Sequence, residues 1–271
     1  MSKELCDLIN VIDTHFDDDP KNLGEYNYRN TSNVFLNDCI CSSDEEKIIC
    51  GFIILLNTLD DETIDSDKLV EYAILWLSYK LNQKKENGLT RLNDFHTGHI
   101  KQNDCYNKQI SANSDSKINM NVIDKKIESL NIDIKEISNF YDAFKSLFNM
   151  YSEFDPEKKN CKTCLENAGE LFEKYEKLKN ALDINKGSSY LQLLSSLSND
   201  YKNFEQIYNA ECSNSSPLVA CPRSSVTKNI LITIAITFVA ASILLGVSYK
   251  YSLFGFRKRF QKQKLREKLK K

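Results

Sequence analysis

An uncharged apolar segment near the C-terminus limits the possible architectures of this chain most. Residues Asn229–Tyr249, NILITIAITFVAASILLGVSY, contain no Asp, Glu, Lys or Arg over 21 positions. As a helix, the segment would be about 31 Å long, close to the ~30 Å hydrocarbon core of a bilayer. A core helix of a soluble protein is usually shorter and carries a polar stripe. We therefore predict one transmembrane helix at 229–249.

Charge is divided sharply at this segment. Residues 250–271 contain ten Lys/Arg and one acidic residue, a net charge of +9, whereas residues 1–249 contain 26 Lys/Arg and 37 Asp/Glu, a net charge of −11. The positive-inside rule places the basic tail in the cytoplasm and the larger N-terminal region across the membrane. A tail-anchored topology with a cytosolic domain is the alternative, but it requires ten positive charges to cross the bilayer.

The basic tail follows the predicted span directly, so anionic lipid of the inner leaflet is a better partner for it than nucleic acid. We expect no nucleic-acid partner. The tail residues predicted to contact lipid are Arg257, Lys258, Arg259, Lys262 and Lys264.

All the cysteines precede the predicted span. Their segregation is typical of a disulfide-containing ectodomain in an oxidising compartment. The odd count leaves at least one thiol free, and if eight pair, the sequence does not choose among about 105 connectivities. The nine candidates are Cys6, Cys39, Cys41, Cys50, Cys105, Cys161, Cys164, Cys212 and Cys221.

Zinc binding is the rival explanation of the cysteine pattern. Cys161 and Cys164 form a C-x-x-C, and Cys39 and Cys41 lie near Cys50. Structural zinc sites usually combine two ligand pairs at finger-like spacing, whereas these groups are far apart in the chain. His96-Thr-Gly-His99 lacks a carboxylate placed as in zinc proteases. We therefore expect disulfides or buried thiols, and no metal or other cofactor.

Apolar residues recur at helical spacing along the chain, and no stretch shows the sustained alternation of a strand. We predict an all-α fold, a bundle of antiparallel helical hairpins with disulfides, plus the transmembrane helix. In the first half, helices are expected at about 3–16, at 48–59 after a capping box of Ser43 and Glu46, and from Ser66 onward. The polar residues 86–118 are expected to form a looser helix or a loop.

Three further apolar runs occupy the second half. They extend from Ile123 to Tyr151, from Cys161 to Leu182 and from Tyr190 to Tyr208. We expect three helices that fold back on one another; an oligomeric coiled coil is the alternative, and the frequent breaks disfavour it. The predicted domains are a helical ectodomain at 1–210, a juxtamembrane linker at 211–228, in which Cys212 and Cys221 are candidates to close a loop, the span at 229–249 and the tail at 250–271.

Catalytic patterns are missing from the sequence. There is no glycine-rich phosphate loop and no nucleophile elbow. The three histidines suggest no nucleophile–base pair. We therefore expect no enzymatic activity and name no catalytic residue.

Several sequence blocks resemble one protein family. LVEYAILWLSYKLNQ at 69–83, IDIKEISNFYDAFKSLFNMYSEF at 132–154, CKTCLENAGELFEKYEKL at 161–178 and SSYLQLLSSLSNDYKNFEQIYN at 188–209 are similar to the Plasmodium interspersed repeat (PIR) proteins, especially the rodent-malaria yir/bir/cir branch. The early cysteine cluster, the single late span and the short basic tail fit the same family. Phe148 stands where relatives are expected to carry Cys, which would account for the odd cysteine count.

The resemblance implies a variable helical ectodomain that is exported to the infected red cell, with roles in antigenic variation and host interaction. We therefore expect a membrane-anchored surface antigen whose partners are an unknown host protein or cell-surface receptor and antibodies. Exposed loop residues are the expected contacts, with 86–118 as the variable region. The alternative is an intracellular structural scaffold tethered to exported or vacuolar membranes, with reduced cysteines.

Overall fold

The structure, a computed structural model, describes residues 1–16, 36, 39–60, 64–84, 90–111, 116–154, 161, 164–181, 187–212 and 220–221. All regular secondary structure in these ranges is helical, so the predicted all-α class is confirmed. None of the described helices is long and apolar enough to cross a membrane. The predicted span at 229–249, the basic tail and most of the juxtamembrane linker lie outside the described residues.

Three helices of the first half begin at capping residues, and the box formed by Ser43 and Glu46 is the one that the sequence predicted. The Ser2 hydroxyl accepts a hydrogen bond from the N–H of Leu5 at 3.2 Å, and Ser43 and Glu46 form a reciprocal capping box. Such caps satisfy backbone N–H groups that have no partner within the helix. The helices are α1 (Lys3–His15), α2 (Asp44–Leu59) and α3 (Ser66–Gln83).

The described part of the 86–118 region is more ordered than we predicted. It contains α4 (Leu92–Phe95), a π-helical turn (His96–Ile100) and α5 (Asp104–Ser111). These elements are too short to show a sustained helical period, which is why the sequence suggested a looser helix or a loop. Their apolar side chains nevertheless enter the core, and the buried ones are Leu92, Phe95, Ile100, Cys105, Tyr106 and Ile110.

The apolar run from Ile123 to Tyr151 is divided between two helices, which corrects the prediction of one helix. The chain leaves helical geometry at Leu130, with φ −93° and ψ 57°, and it is extended at Asp133. The run hides this break because both helices bury the same side of the chain. The helices of the second half are α6 (Met120–Ser129), α7 (Ile134–Glu153), α8 (Glu166–Asn180) and α9 (Gly187–Glu211).

Helix α7 lies at the centre of the described fold and packs against α1, α3, α8 and α9. Helices α3 and α7 are antiparallel, since Asn82 bonds Ser138 at one end and the ring of Tyr72 meets that of Phe148 further along, with centroids 5.8 Å apart. Twelve residues of α7 are buried. A helix with this much buried surface is held mainly by tertiary packing.

The last two helices complete an up-down-up stack. Helix α8 runs antiparallel to α7, because Glu153 at the end of α7 accepts from the N–H of Glu166 at the start of α8. Helix α9 runs parallel to α7, with Tyr190 against Phe140 and Phe204 against Tyr151, each pair 4.8 Å apart between centroids. This arrangement agrees with the predicted antiparallel hairpins.

Candidate interaction surface

Eight of the nine cysteines form four disulfides. The bridges are Cys39–Cys105, Cys41–Cys50, Cys161–Cys212 and Cys164–Cys221. The ninth, Cys6, is a free thiol in α1 with no exposed surface, and burial raises its pKa above the ordinary range. Cys6 and Phe148 are both fully buried in helices that pack on each other.

The disulfides form two pairs at opposite ends of the stack. The start of α2, beside the first pair, lies near the end of α3, where Lys84 contacts Asp44 at 3.0 Å. The end of α3 is itself close to the start of α7, because the two helices are antiparallel. The second pair lies beyond the other end of α7, where Phe154 packs on Tyr208 of α9. Helix α7 has 20 residues, so the two ends are about 30 Å apart.

The second disulfide pair corrects one expectation about the linker. Cys212 and Cys221 do not close a loop with each other, since each bonds a cysteine that precedes α8. The N–H of Cys221 also donates to the carbonyl of Leu165 at 3.0 Å. The chain is therefore fastened to the helical stack at residue 221, only a few positions before the apolar segment.

At the opposite end, residues Cys39–Glu46 form a surface that we call the cysteine tip. Cys39 is bonded to α5 through Cys105, and Cys41 is bonded to α2 through Cys50. The N–H groups of Ser42 and Ser43 both donate to a carboxylate oxygen of Glu46, each at 2.9 Å. The backbone of the tip is therefore held both covalently and by its own capping box.

Two further contacts join the tip to its neighbours. Asp44 meets Lys84, the residue that follows α3, and Glu45 meets His99 of the π-helical turn at 2.5 Å between Oε1 and Nδ1. The imidazole of His99 also stacks on Phe95, with centroids 4.9 Å apart. The tip is thus attached to α2, α3, the π-helical turn and α5.

Ile40 lies between the two cysteines of this restrained segment. Its exposed fraction is 72%, and among described large apolar side chains only Val11, at 52%, is also exposed. The two residues that flank Ile40 are both disulfide-bonded. The sequence showed the Cys-Ile-Cys spacing but not that its cysteines bond different helices, so Ile40 was not recognised as a candidate contact residue.

The two histidines of the H-x-x-H motif diverge. His99 contacts Glu45 on α2, whereas His96 is buried with its Nε2 3.3 Å from a carboxylate oxygen of Asp124 on α6. Burial lowers the pKa of His96 to about 4, against the opposing effect of Asp124. No group of three His, Cys, Asp or Glu in the described ranges could hold a metal ion. The histidines therefore fasten the π-helical turn to two helices.

A buried ionic cluster near the start of α3 joins α3, α6 and α9. Glu71, exposed by only 2%, meets Lys126 at 2.9 Å and Lys68 at 3.0 Å, and Lys68 also meets Asp200 at 2.7 Å. Burial opposes ionisation of Glu71, but Lys68 and Lys126 outweigh it and hold its pKa below the ordinary value. At Asp200 the effect of burial is larger than the opposing attraction of Lys68, so the pKa of this carboxyl group is raised above its ordinary value.

A second buried cluster joins α1, α3 and α7. Asp13 is exposed by 2%, contacts Lys80 at 2.9 Å and also bonds Lys145. Burial opposes ionisation of Asp13, but the two lysines overcome it and lower its pKa. These polar clusters connect helices that are distant in sequence.

Comparison with known proteins places the chain in a family. A model of the family described as Plasmodium variant antigen protein Cir/Yir/Bir matches residues 6–250. The chain therefore belongs to the Plasmodium Cir/Yir/Bir variant antigen family. The match extends beyond the helical domain and through the apolar segment at 229–249.

A solved structure described as a Plasmodium PIR protein ectodomain is similar to this Cir/Yir/Bir protein. The two sequences are 36% identical, the TM-score is 0.58, and the similarity covers 81% of this chain and 99% of the other. A search of curated proteins gave no match. The predicted family is thus confirmed.

The predicted lipid-contacting residues of this Cir/Yir/Bir protein, Arg257, Lys258, Arg259, Lys262 and Lys264, all lie outside the described residues. Their role stays a prediction. The region at 86–118 also contributes Cys105 and His99 as attachments of the cysteine tip, and its expected role as the variable contact region stays a prediction. Candidate contact residues therefore lie on the tip as well.

Proposed function

We propose that this protein is a membrane-anchored surface antigen that presents its helical domain to the host outside the infected red cell and catalyses no reaction. The four disulfides carry the proposal. Bridges of this kind form and persist in oxidising compartments and are rare in reducing cytosol. Membership of a variant antigen family and similarity to a protein described as an ectodomain support the same role.

The charge distribution supports the orientation. The tail carries a net charge of +9 and the part before it a net charge of −11, and cytoplasmic flanks of membrane spans are enriched in Lys and Arg. A basic tail on the inner face would also meet anionic lipid, at about 1 kcal/mol per Lys or Arg near the surface. The attachment at Cys221 leaves only residues 222–228 between the helical domain and the bilayer.

Limited proteolysis of intact infected cells tests the proposed display. Trypsin added outside should remove the N-terminal domain and leave a membrane-protected fragment that contains residues 229–271. A domain that resists trypsin until the cells are permeabilised contradicts surface display. Antibodies against an intracellular parasite protein control for leakage.

A non-reducing disulfide map from the same cells separates display from the intracellular scaffold. If the domain is displayed on the surface, the map should show the four bridges, and Cys6 should be the cysteine that is alkylated without prior reduction. The scaffold, which faces a reducing compartment, predicts alkylation of Cys39, Cys41 and their partners without prior reduction. The map therefore reports the compartment independently of protease access.

A further inference from the structure

One of the four disulfides is less protected by the fold than the other three. In each of those three one cysteine is buried, namely Cys50, Cys105 or Cys212, with exposed fractions of 1%, 7% and 5%. In the Cys164–Cys221 bridge both cysteines are only half-buried. A thiol must reach a sulfur atom to reduce a disulfide, so exposed bridges are more labile than buried ones.

A cleft beside α8 borders the same bridge. It has a volume of about 770 Å³, and Cys221 forms part of its wall together with side chains of α8 that include Asn167, Glu170 and Lys177. Cavities of this size admit small molecules. A small reductant that enters the cleft therefore has access to the Cys221 side of the bridge.

The bridge also determines where the tether to the predicted span begins. While it is closed, the chain leaves the helical domain at Cys221, and residues 222–228 extend over at most about 25 Å. If it opens while Cys161–Cys212 stays closed, the chain leaves the domain at Cys212. The tether then consists of residues 213–228, which extend over at most about 55 Å. The state of this bridge thus limits how far the domain can move from the bilayer.

The non-covalent contacts at residues 220–221 are short. The N–H of Cys221 donates to the carbonyl of Leu165 at 3.0 Å, and Leu165 and Ala220 form an isolated parallel β-bridge. Even a complete two-stranded hairpin is only marginally stable by itself in water. We therefore expect residues 220–221 to separate from α8 once the covalent bond is gone.

We infer that Cys164–Cys221 is a redox-sensitive latch, which a dithiol reductant opens before the other three bridges and which lengthens the tether of the domain when it opens. Without a reductant the latch stays closed. A thiolate of the reductant attacks one sulfur of the bridge to form a mixed disulfide, and the other protein sulfur leaves as a thiolate and takes up a proton. The second thiol of the reductant then displaces the first protein sulfur, so the reductant becomes a disulfide and the protein gains two electrons and two protons.

The order of reduction tests the latch. Full-length protein in detergent is treated with dithiothreitol for increasing times without denaturant, the free thiols are alkylated, and mass spectrometry follows each cysteine. Cys164 and Cys221 should react at least about tenfold faster than Cys161 and Cys212, the matched pair that joins the same parts of the chain. In urea-unfolded protein this preference should disappear, because the protection by the fold is lost. The inference is overturned if another bridge opens first or if all four open together.

The lengthening of the tether has its own test and rests on the membrane anchor of the proposed function. Energy transfer from Trp76, the one tryptophan of the chain, to a dansyl lipid is measured in phosphatidylcholine vesicles that contain the full-length protein. Dithiothreitol, applied for the time that opens only the latch, should lower the transfer in the wild type. C164S/C221S should give the low value without a reductant, whereas C161S/C212S should keep the high value.

Unchanged transfer in the reduced wild type overturns the role of the latch in the tether. The order of reduction is measured on purified protein in detergent, so it does not depend on the membrane or on the compartment. Failure of the latch and failure of surface display in the trypsin experiment are therefore distinguishable.

Discussion

At the scale of single residues, Gly51 shows how closely α2 packs on its neighbours. A Cβ atom at this position would lie 2.5 Å from the Cη2 atom of Trp76 and 3.0 Å from a ring carbon of Phe16. Trp76 is fully buried, so its ring has little room to move. Glycine at position 51 thus allows Trp76 and Phe16 to approach the backbone of α2 more closely than a residue with a Cβ atom would allow.

Gly51→Ala should destabilise the protein even though alanine is the better helix former by about 1 kcal/mol. Overpacking of a filled core costs about 1–3 kcal/mol, so we expect a net loss in the free energy of unfolding. Urea denaturation of the full-length protein in detergent measures it. Gly169→Ala, in α8, is the control because its Cβ would have ordinary contact at 3.6 Å with Ala220; a loss as large as that of G51A would contradict the packing argument.

At the scale of helices, the cluster around Glu71 holds α6 and α9 against α3. Glu71→Gln keeps the shape of the side chain but leaves buried Lys126 and half-buried Lys68 with less negative charge around them. Removing one partner of a buried ion pair costs about 3–5 kcal/mol, so we expect a loss near the lower limit because other carboxylates remain. Asp67→Asn is the matched control: Asp67 also contacts Lys126 but its side chain is 62% exposed, so it should cost about 0–1 kcal/mol.

The same cluster predicts how stability depends on pH. The pKa of Glu71 in the fold is below its ordinary value of 4.5, so its contribution is complete above that value and is lost as the pH falls through the folded pKa. Asp200 acts in the opposite direction, because its raised pKa favours the protonated form in the fold. Urea midpoints below pH 4.5 should therefore fall less steeply in E71Q and more steeply in D200N than in the wild type. Parallel profiles in all three proteins would contradict these shifts.

At the scale of the whole molecule, the two disulfides of the cysteine tip close very different loops. Cys39 and Cys105 are 66 residues apart, whereas Cys41 and Cys50 are 9 apart. Loop-closure entropy makes the longer loop worth about 2 kcal/mol more. C39S/C105S should therefore lower the free energy of unfolding by about that much more than C41S/C50S. Equal losses would indicate that the stabilisation by these bridges comes from local packing in the folded protein and not from the lower entropy of the unfolded chain.

The sequence by itself determined the helical class, the capping box at the start of α2, the start of α3 at Ser66 and the family. Each of these depends on local information: apolar period, capping residues or contiguous motifs. The tertiary structure alone decided which cysteines pair and that Asp13 and Glu71 are buried with lysines, because those partners come from distant helices. It also showed that the run from Ile123 to Tyr151 breaks at Leu130, since two helices that bury one face preserve the apolar spacing. Ile40 became a candidate contact only when Cys39 and Cys41 were found bonded to cysteines of different helices, because exposure results from packing and not from residue type.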